Sequence, residues 1–225
     1  THPPVPPEES DDAAPSAPSP LSRLFWSPAY GAEPGDDLAR LRTWVPKRDD
    51  VHDYLAAVGK VLRKASHQTR EAKKIDGRWH PMFEHMTLAT AWKETCWRQF
   101  VRKGKQISTI ESSAGALGLM QINPRVWRGL YDVGALRSDI SYNARAGTEI
   151  LEHYFVDYAL KKREHEQPGG EKNLVRATYS AYNAGPGRLS RYRRNGGHAI
   201  DRKFWDMYQQ IEAGNEAAVA GCYGV

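Results

Sequence analysis

Glu94 is the acidic residue whose neighbours in the sequence most favour chemistry. It lies in a segment of helical periodicity among apolar and aromatic residues that include Trp92 and Trp97. A carboxyl group in such surroundings is disfavoured as an anion, so it can keep its proton near neutral pH and donate it to a leaving oxygen. By itself the pattern also fits an ordinary surface glutamate on an amphipathic helix.

A turn of small residues follows downstream and changes that balance. Gly115 and Gly118 permit a close approach of backbone to a ligand, and Met120, Gln121 and Asn123 come directly afterwards. Those three offer an apolar contact together with amide donors and acceptors. Sugar rings need both kinds of contact, so the two segments together predict general-acid chemistry on a sugar.

Further residues could take part in such a site. Glu111 could supply a second catalytic carboxylate, although a solvated surface glutamate is the simpler interpretation. Tyr182 and Asn183 come where a helix should end against Gly185; they could reach a cleft and support Glu94, or mark only a helix stop. Glu149 could face the cleft or a polar helix face. Several aromatic residues are candidate sugar platforms or core: Trp127, Tyr131, Tyr142, Tyr179 and Tyr192.

Cys96 and Cys222 are the two cysteines of the chain, and they form either a disulfide or two free thiols. Closing so long a loop would stabilise the fold by up to about 5 kcal/mol in the chain-entropy model, so a bond is useful in an oxidising compartment. The histidines show no metal-ligand spacing. The sequence predicts neither a metal site nor a cofactor.

The net charge of +5 favours an anionic partner such as nucleic acid, a membrane surface or an acidic wall polymer. The basic residues are spread along the chain without the motif of a nucleic-acid reader, so no nucleic-acid partner is predicted, and a solvated basic face remains the alternative.

The predicted organisation is a mainly α, lysozyme-like α+β fold with a small β-hairpin. Residues 1–20 are rich in proline, which predicts a disordered tether. Residues 21–80 are predicted to form a helical segment that packs on a catalytic domain at 81–225. The first core residues of this segment would be Leu24, Phe25, Trp26 and Tyr30. Residues 100–111 alternate in polarity around Gly104, as a hairpin does. Apolar periodicity predicts a short helix after Asp37 and others over 51–62, 81–100, 124–130, 141–162, 174–184 and 200–211.

Three motifs in order give the chain a family resemblance over about residues 81–194. Glu94-Thr95, the run Ser-x-x-Gly-Ala-x-Gly-Leu-Met-Gln from Ser112 to Gln121, and Ala-Tyr-Asn-Ala-Gly ending at Gly185 resemble the signatures of the soluble (Slt) type lytic transglycosylases, relatives of goose-type lysozyme. The resemblance implies a lysozyme-like fold, peptidoglycan glycan strands as substrate, and Glu94 as the catalytic acid. It also implies a set of substrate-binding residues: Thr95, Ser112, Ser113, Met120, Gln121, Asn123, Tyr182 and Asn183.

The chemistry that the resemblance implies cleaves the bond between N-acetylmuramic acid and N-acetylglucosamine and forms 1,6-anhydromuramic acid. Two alternatives stay open: a hydrolase that uses Glu94 with Glu111, and a catalytically silent wall-binding module. The interval between Glu94 and Ser112 is longer than in compact relatives, and the predicted hairpin fills it. The resemblance places the protein in the periplasm or cell envelope, as a monomer with a possible envelope complex and with any export signal or anchor upstream.

Overall fold

The computed structural model describes residues 36–194 and 197–225. The predicted tether at 1–20 and the residues Leu24, Phe25, Trp26 and Tyr30 lie outside this part of the chain. Along the described residues, no helix has the length and the apolar character needed to cross a membrane.

The described chain is mainly helical, with one small antiparallel sheet, which confirms the predicted fold class. The α-helices are α1 (Asp36–Leu41), α2 (Val51–Ala72), α3 (His80–Thr95), α4 (Val133–Ser138), α5 (Ile140–Tyr154), α6 (Lys172–Ala184) and α7 (Ala199–Glu212). A π-helical segment, Phe155–Leu160, continues α5, and a 3-10 segment, Glu216–Tyr223, closes the chain. Strands β1 (Phe100–Lys103) and β2 (Gln106–Thr109) lie between α3 and α4.

The β-hairpin predicted between residues 100 and 111 is confirmed. Phe100 pairs with Thr109 and Lys103 with Gln106, so the turn consists of Gly104 and Lys105. Gly104 has φ of +61°, a left-handed conformation that glycine adopts without a steric penalty.

The prediction that the Glu94 helix runs to residue 100 is wrong, because α3 ends at Thr95. Cys96 and Trp97 both take left-handed backbone conformations, with φ of +55° and +60°. Their amide groups donate to Trp92 O and Ala91 O, which satisfies carbonyls at the end of the helix. Tertiary contacts hold this turn: Tyr54 donates its hydroxyl to Trp97 O at 2.9 Å, and the Trp97 indole donates to Leu88 O at 2.9 Å.

Segment 124–130 is also not the predicted helix but a series of turns. Val126 and Trp127 both donate their amides to Asn123 O, and Gly129 then takes φ of +74°, which no continuing helix allows. Helix α4, which the sequence did not predict, follows Asp132, whose carboxylate accepts from Ala135 N at 2.6 Å as an N-cap. The helix predicted over 141–162 is α5 with its π-helical continuation.

Helix α3 runs through the centre of the molecule and packs against α2, α6 and α7. Phe83, Met86 and Ala89 are fully buried, as expected of a central helix, whereas Glu84 on the same helix is partly exposed and pairs with Arg63 and Arg70. One hydrophobic core joins residues on both sides of position 80, since α2 packs on α3 and α5. The division into segments 21–80 and 81–225 therefore stays a prediction.

Candidate active site

Glu94 lies on the last turn of the central helix α3 and is partly buried. Tyr179 on α6 donates its hydroxyl to Glu94 Oε1 at 2.8 Å. Burial raises the pKa of the Glu94 carboxyl, and the hydrogen bond from Tyr179 and the charge of Lys93 oppose that rise in part. The group can therefore hold a proton at a higher pH than an ordinary glutamate, as a general acid requires.

Tyr179 fixes Glu94 and is not a sugar platform. Its side chain is fully buried and stacks on Phe204, with ring centroids 3.8 Å apart and an angle of 6° between the planes. The sequence did not assign it this role. Its position one helical turn before Tyr182, on the same face of α6, is the signal that could have found it.

A cavity of about 250 Å³ opens beside the Glu94 carboxyl. It brings together six of the predicted site residues from α3, the turn after β2 and the end of α6. Its lining is Glu94, Ser112, Ala114, Ala116, Gln121, Asn123, Tyr182 and Asn183.

Thr95, Ser113 and Met120 do not line this cavity, and their role in substrate binding stays a prediction. Thr95 is buried and donates its hydroxyl to Leu119 O at 2.8 Å. The Met120 side chain is fully buried against Gly147, where any Cβ would lie 2.5 Å from Met120 Cβ. Thr95 and Met120 therefore support the wall of the cavity from behind, whereas Ser113 is exposed outside it.

Two buried amide side chains that the sequence analysis missed hold the loop before Gln121. Gln99 Oε1 accepts from Leu119 N at 2.7 Å, and Asn143 Oδ1 accepts from Met120 N at 2.8 Å. Gly118 lies against both amides with φ of +69°, and a Cβ there would lie 2.5 Å from Gln99 Oε1. Only glycine fits this position. A lone glutamine or asparagine in an apolar context gives no sequence signal for such a partner.

The polar residues of the cavity wall are themselves fixed by hydrogen bonds. Asn123 donates from Nδ2 to Ala114 O at 3.1 Å and accepts at Oδ1 from Arg125 N at 2.9 Å. Gln121, at φ of +51°, donates to Gly118 O at 2.9 Å, and Ser112 Oγ accepts from Ala116 N at 3.0 Å. The wall is therefore preorganised before a ligand arrives.

Tyr182 and Asn183 connect the end of α6 to the rest of the site. Tyr182 donates its hydroxyl to Met120 O at 2.6 Å, so it pins the loop that Gln99 and Asn143 also hold. Asn183 Oδ1 accepts from Arg191 Nη2 at 2.8 Å. Arg191 is buried and forms a bidentate pair with Asp201, at 2.9 and 2.7 Å.

Glu111 is exposed at the end of the hairpin and does not line the cavity. Arg137 on α4 donates from Nη1 to Glu111 Oε2 at 2.8 Å. That hydrogen bond, with the charges of Arg137, Lys103 and Arg125, lowers the pKa of the Glu111 carboxyl. Glu111 is therefore an ionised partner of Arg137.

Cys96 and Cys222, which the sequence allowed to be either bonded or free, form a disulfide in the structure. It ties the C-terminal segment to the residue that caps α3, two positions after Glu94. Tyr223 adds a hydrogen bond from its hydroxyl to Cys96 O at 2.7 Å, and the Arg98 guanidinium lies 5.7 Å from the Tyr223 ring centroid. The C-terminal segment thus clamps the end of the helix that carries the acid.

The remaining predicted site residues belong to the interior. Glu149 is buried and accepts from the Tyr131 hydroxyl at 3.2 Å, and burial raises the pKa of its carboxyl to about 7. The other candidate platforms are buried as well: Trp127, Tyr131, Tyr142 and Tyr192. Within the described residues, no group of three or more His, Cys, Asp or Glu side chains is arranged to hold a metal ion.

Comparison with known families gives one match. Residues 84–205, more than half of the chain, match the model of the Transglycosylase SLT domain family. This range contains Glu94, the loop from Ser112 to Asn123 and the end of α6. No curated protein and no solved structure matches the chain.

Proposed function

The chain belongs to the Transglycosylase SLT domain family, and from this premise we propose that it is a lytic transglycosylase that forms 1,6-anhydromuramic acid. Membership of this family indicates that the protein acts on peptidoglycan in the manner of a lytic transglycosylase or a lysozyme-like enzyme. The bond that is cleaved and the product are the proposal.

The observation that supports it is that Glu94 is the one carboxyl group in the lining of the cavity that the structure describes beside it. A hydrolase of the usual kind needs a second carboxylate, as nucleophile or to activate water. The nearest alternative in the sequence, Glu111, is engaged by Arg137 outside the cavity. A single carboxyl group suits a reaction in which the substrate supplies its own nucleophile.

In the proposed reaction Glu94 first acts as an acid. It gives its proton to the glycosidic oxygen between N-acetylmuramic acid and N-acetylglucosamine as the bond to the anomeric carbon breaks, and the 2-acetamido group of the substrate stabilises the cationic carbon. The Glu94 carboxylate then takes the proton of the muramoyl 6-hydroxyl, whose oxygen bonds to the anomeric carbon. The glutamate ends protonated as it began, and no water is consumed.

The hydrogen bond from Tyr179 supports both steps. Because Tyr179 donates to Oε1, the acid proton of Glu94 belongs on Oε2, so the bond selects which oxygen faces the substrate. The same bond stabilises the carboxylate after the proton has left. The second step joins groups of one sugar ring, which removes the entropy cost of capturing a separate nucleophile.

The test is a product assay in water enriched in ¹⁸O. Purified sacculi are digested with the protein and the muropeptides are analysed by mass spectrometry, with Glu94→Gln as the matched inactive control. The proposal expects 1,6-anhydromuramic ends without ¹⁸O. Reducing ends that carry ¹⁸O would show a hydrolase, and digestion by the Glu94→Gln protein equal to wild type would remove Glu94 from the chemistry.

The family implies a location in the cell envelope. The tether at residues 1–20, the periplasmic setting, the monomeric state and recruitment to an envelope complex stay part of the proposal. Velocity sedimentation of the purified chain tests the monomer directly.

A further inference from the structure

A second cavity lies at the amino-terminal part of α6, away from the Glu94 lining. Its volume is about 480 Å³, compared with about 250 Å³ beside Glu94, and it is within the range of small-ligand sites. Three arginines line it, Arg176, Arg193 and Arg194, together with Tyr192. Nothing in the proposed reaction at Glu94 uses these residues.

Arg176 is the unusual residue of this cavity. Arg176 is a partly buried residue, and its guanidinium lies over two rings, 4.9 Å from the centroid of Tyr192 and 5.5 Å from that of Trp205. Among the described residues it has no carboxylate partner. Taking a cation out of water without a counter-ion costs free energy, and a ligand anion would recover that cost.

The other two arginines differ in how they are held. Arg193 contacts the Tyr192 ring, donates from Nε to the Tyr192 hydroxyl and pairs with the buried Glu164, so its position is fixed and its charge is balanced. Arg194 is exposed, and its side chain makes no hydrogen bond or ion pair within the described chain. Within the part of the chain that the structure describes, two of the three arginines thus have no carboxylate partner.

The rest of the cavity wall is preorganised. Asn173 is buried and donates from Nδ2 to Pro168 O at 3.1 Å and to Gln167 O at 3.3 Å, which fixes the loop opposite the arginines. Lys172, the nearest further cation on α6, is already paired with Glu212 at 2.9 Å. The free positive charge is therefore concentrated on Arg176 and Arg194.

We propose that this arginine cavity binds a carboxylate or phosphate group of the wall polymer, through Arg176 and Arg194 with Arg193 and Tyr192 as a fixed base. Guanidinium groups form paired hydrogen bonds with both kinds of anion. The identity of the ligand rests on the proposed function, whereas the anion site itself does not. Arg176 lies seven positions before Asn183 on α6, which separates the two residues by about 10 Å along the helix axis.

The two sources of such an anion are peptide stems that carry free carboxylates and phosphate-bearing wall polymers. Calorimetric titrations of the Glu94→Gln protein, which cannot turn over, separate them with three probes: glycan fragments with acidic peptide stems, N-acetylglucosamine oligomers of the same length as a bare glycan without carboxylates, and inorganic pyrophosphate. Binding of the stem-bearing glycan tighter than the bare glycan assigns a carboxylate; binding of pyrophosphate alone assigns a phosphate. Both results support the site.

Arg176→Gln should weaken binding of the preferred probe by about tenfold or more, since a charge-assisted pair is lost. Arg194→Gln should weaken it by a few-fold, and it tests the site even if Arg176→Gln destabilises the fold. Arg48→Gln is the matched control, because it removes the same charge from an exposed turn before α2.

Equal weakening in the Arg48→Gln protein would overturn the proposal, since the effect would then be general charge. So would unchanged binding in both cavity variants, or no binding of any anionic probe by the parent protein. A failed product assay at Glu94 leaves these binding results standing, so the two proposals can fall separately.

Discussion

Glu94 and Glu111 are two glutamates on either side of one hairpin, and their surroundings give them opposite properties. Glu94 lies on the last turn of the central helix α3, with a tyrosine hydroxyl as its hydrogen-bond partner, and burial raises the pKa of its carboxyl. Glu111 is exposed and paired with Arg137, which lowers its pKa. The same side chain is thus prepared as a proton donor in one place and as a fixed anion in the other.

The two sites also differ in the kind of contact that holds the backbone. The end of α3 is clamped by the disulfide, by Tyr223 and by Tyr54. The end of β2 is held by hydrogen bonds: Thr109 donates its hydroxyl to Arg137 O at 2.7 Å, and Ile110 donates its amide to Gln99 O at 2.9 Å. Several independent contacts around Glu94 are expected if the exact position of its carboxyl determines the rate of the proposed reaction.

The largest expected effect is at Glu94. Glu94→Gln should lower kcat about 10³-fold, because the amide cannot donate a proton to the leaving oxygen. The released muropeptides, quantified over time, measure it. A loss below tenfold would contradict the role of Glu94 as the acid.

The same variant should not be less stable than wild type at neutral pH. A raised folded-state pKa means that the native state holds the proton more tightly, so wild-type stability falls as the pH rises from the unfolded pKa through the folded one. Urea unfolding of both proteins at pH 4 and pH 7 tests this. If the stability of wild type relative to Glu94→Gln increased with pH, the raised pKa of Glu94 would be contradicted.

The clamp on α3 is the next effect in size. Cys222→Ser should lower the free energy of unfolding by about 2–5 kcal/mol and should also reduce kcat, because it frees the C-terminal segment beside Glu94. Glu216→Gln is the control in the same segment: it removes only the ion pair with Arg63 and should cost less than about 1 kcal/mol. Equal losses of stability in the two variants would argue against the clamp.

Tyr179→Phe should lower kcat about tenfold, the size of one hydrogen bond to a charged group. It should also move the alkaline limb of the pH profile upward, because the lost bond is one that lowers the pKa of Glu94. Tyr182→Phe is the matched control on the same helix: its hydroxyl bonds Met120 O, so the limb should stay in place. An equal shift of the alkaline limb in both variants would show that the Tyr179 hydroxyl does not set the pKa of Glu94.

The smallest effect is expected at Glu111. Arg137→Gln should return the pKa of Glu111 upward toward its ordinary value, measured by carboxyl NMR titration, while the rate changes by less than about threefold, as for exposed ion pairs. Glu111→Gln should behave likewise in rate. A hundredfold loss in Glu111→Gln would erase the contrast with Glu94 and favour the hydrolase.

The sequence predicted most of the elements because their signals are local. The apolar periodicity of α2, α5, α6 and α7 and the alternation around Gly104 survive into the structure. The helix predicted to residue 100 and the one over 124–130 are wrong for a different reason. A long-range hydrogen bond to Trp97 holds the turn that ends the first helix, and the left-handed Gly129 prevents the second. The apolar periodicity of the sequence contains no information about either feature.

The chemistry-bearing residues show the same division. The sequence identified Glu94 as the candidate acid, together with the small-residue turn and the Tyr182-Asn183 pair that line the same cavity, because residue type and spacing carry those signals. Only the tertiary structure decided that Thr95 and Met120 face inward and that Gln99 and Asn143 hold the loop. It also decided that Tyr179 donates a hydrogen bond to Glu94 and that Arg137 pairs with Glu111. Side-chain direction and pKa depend on neighbours distant in the chain, and folding alone brings those neighbours together.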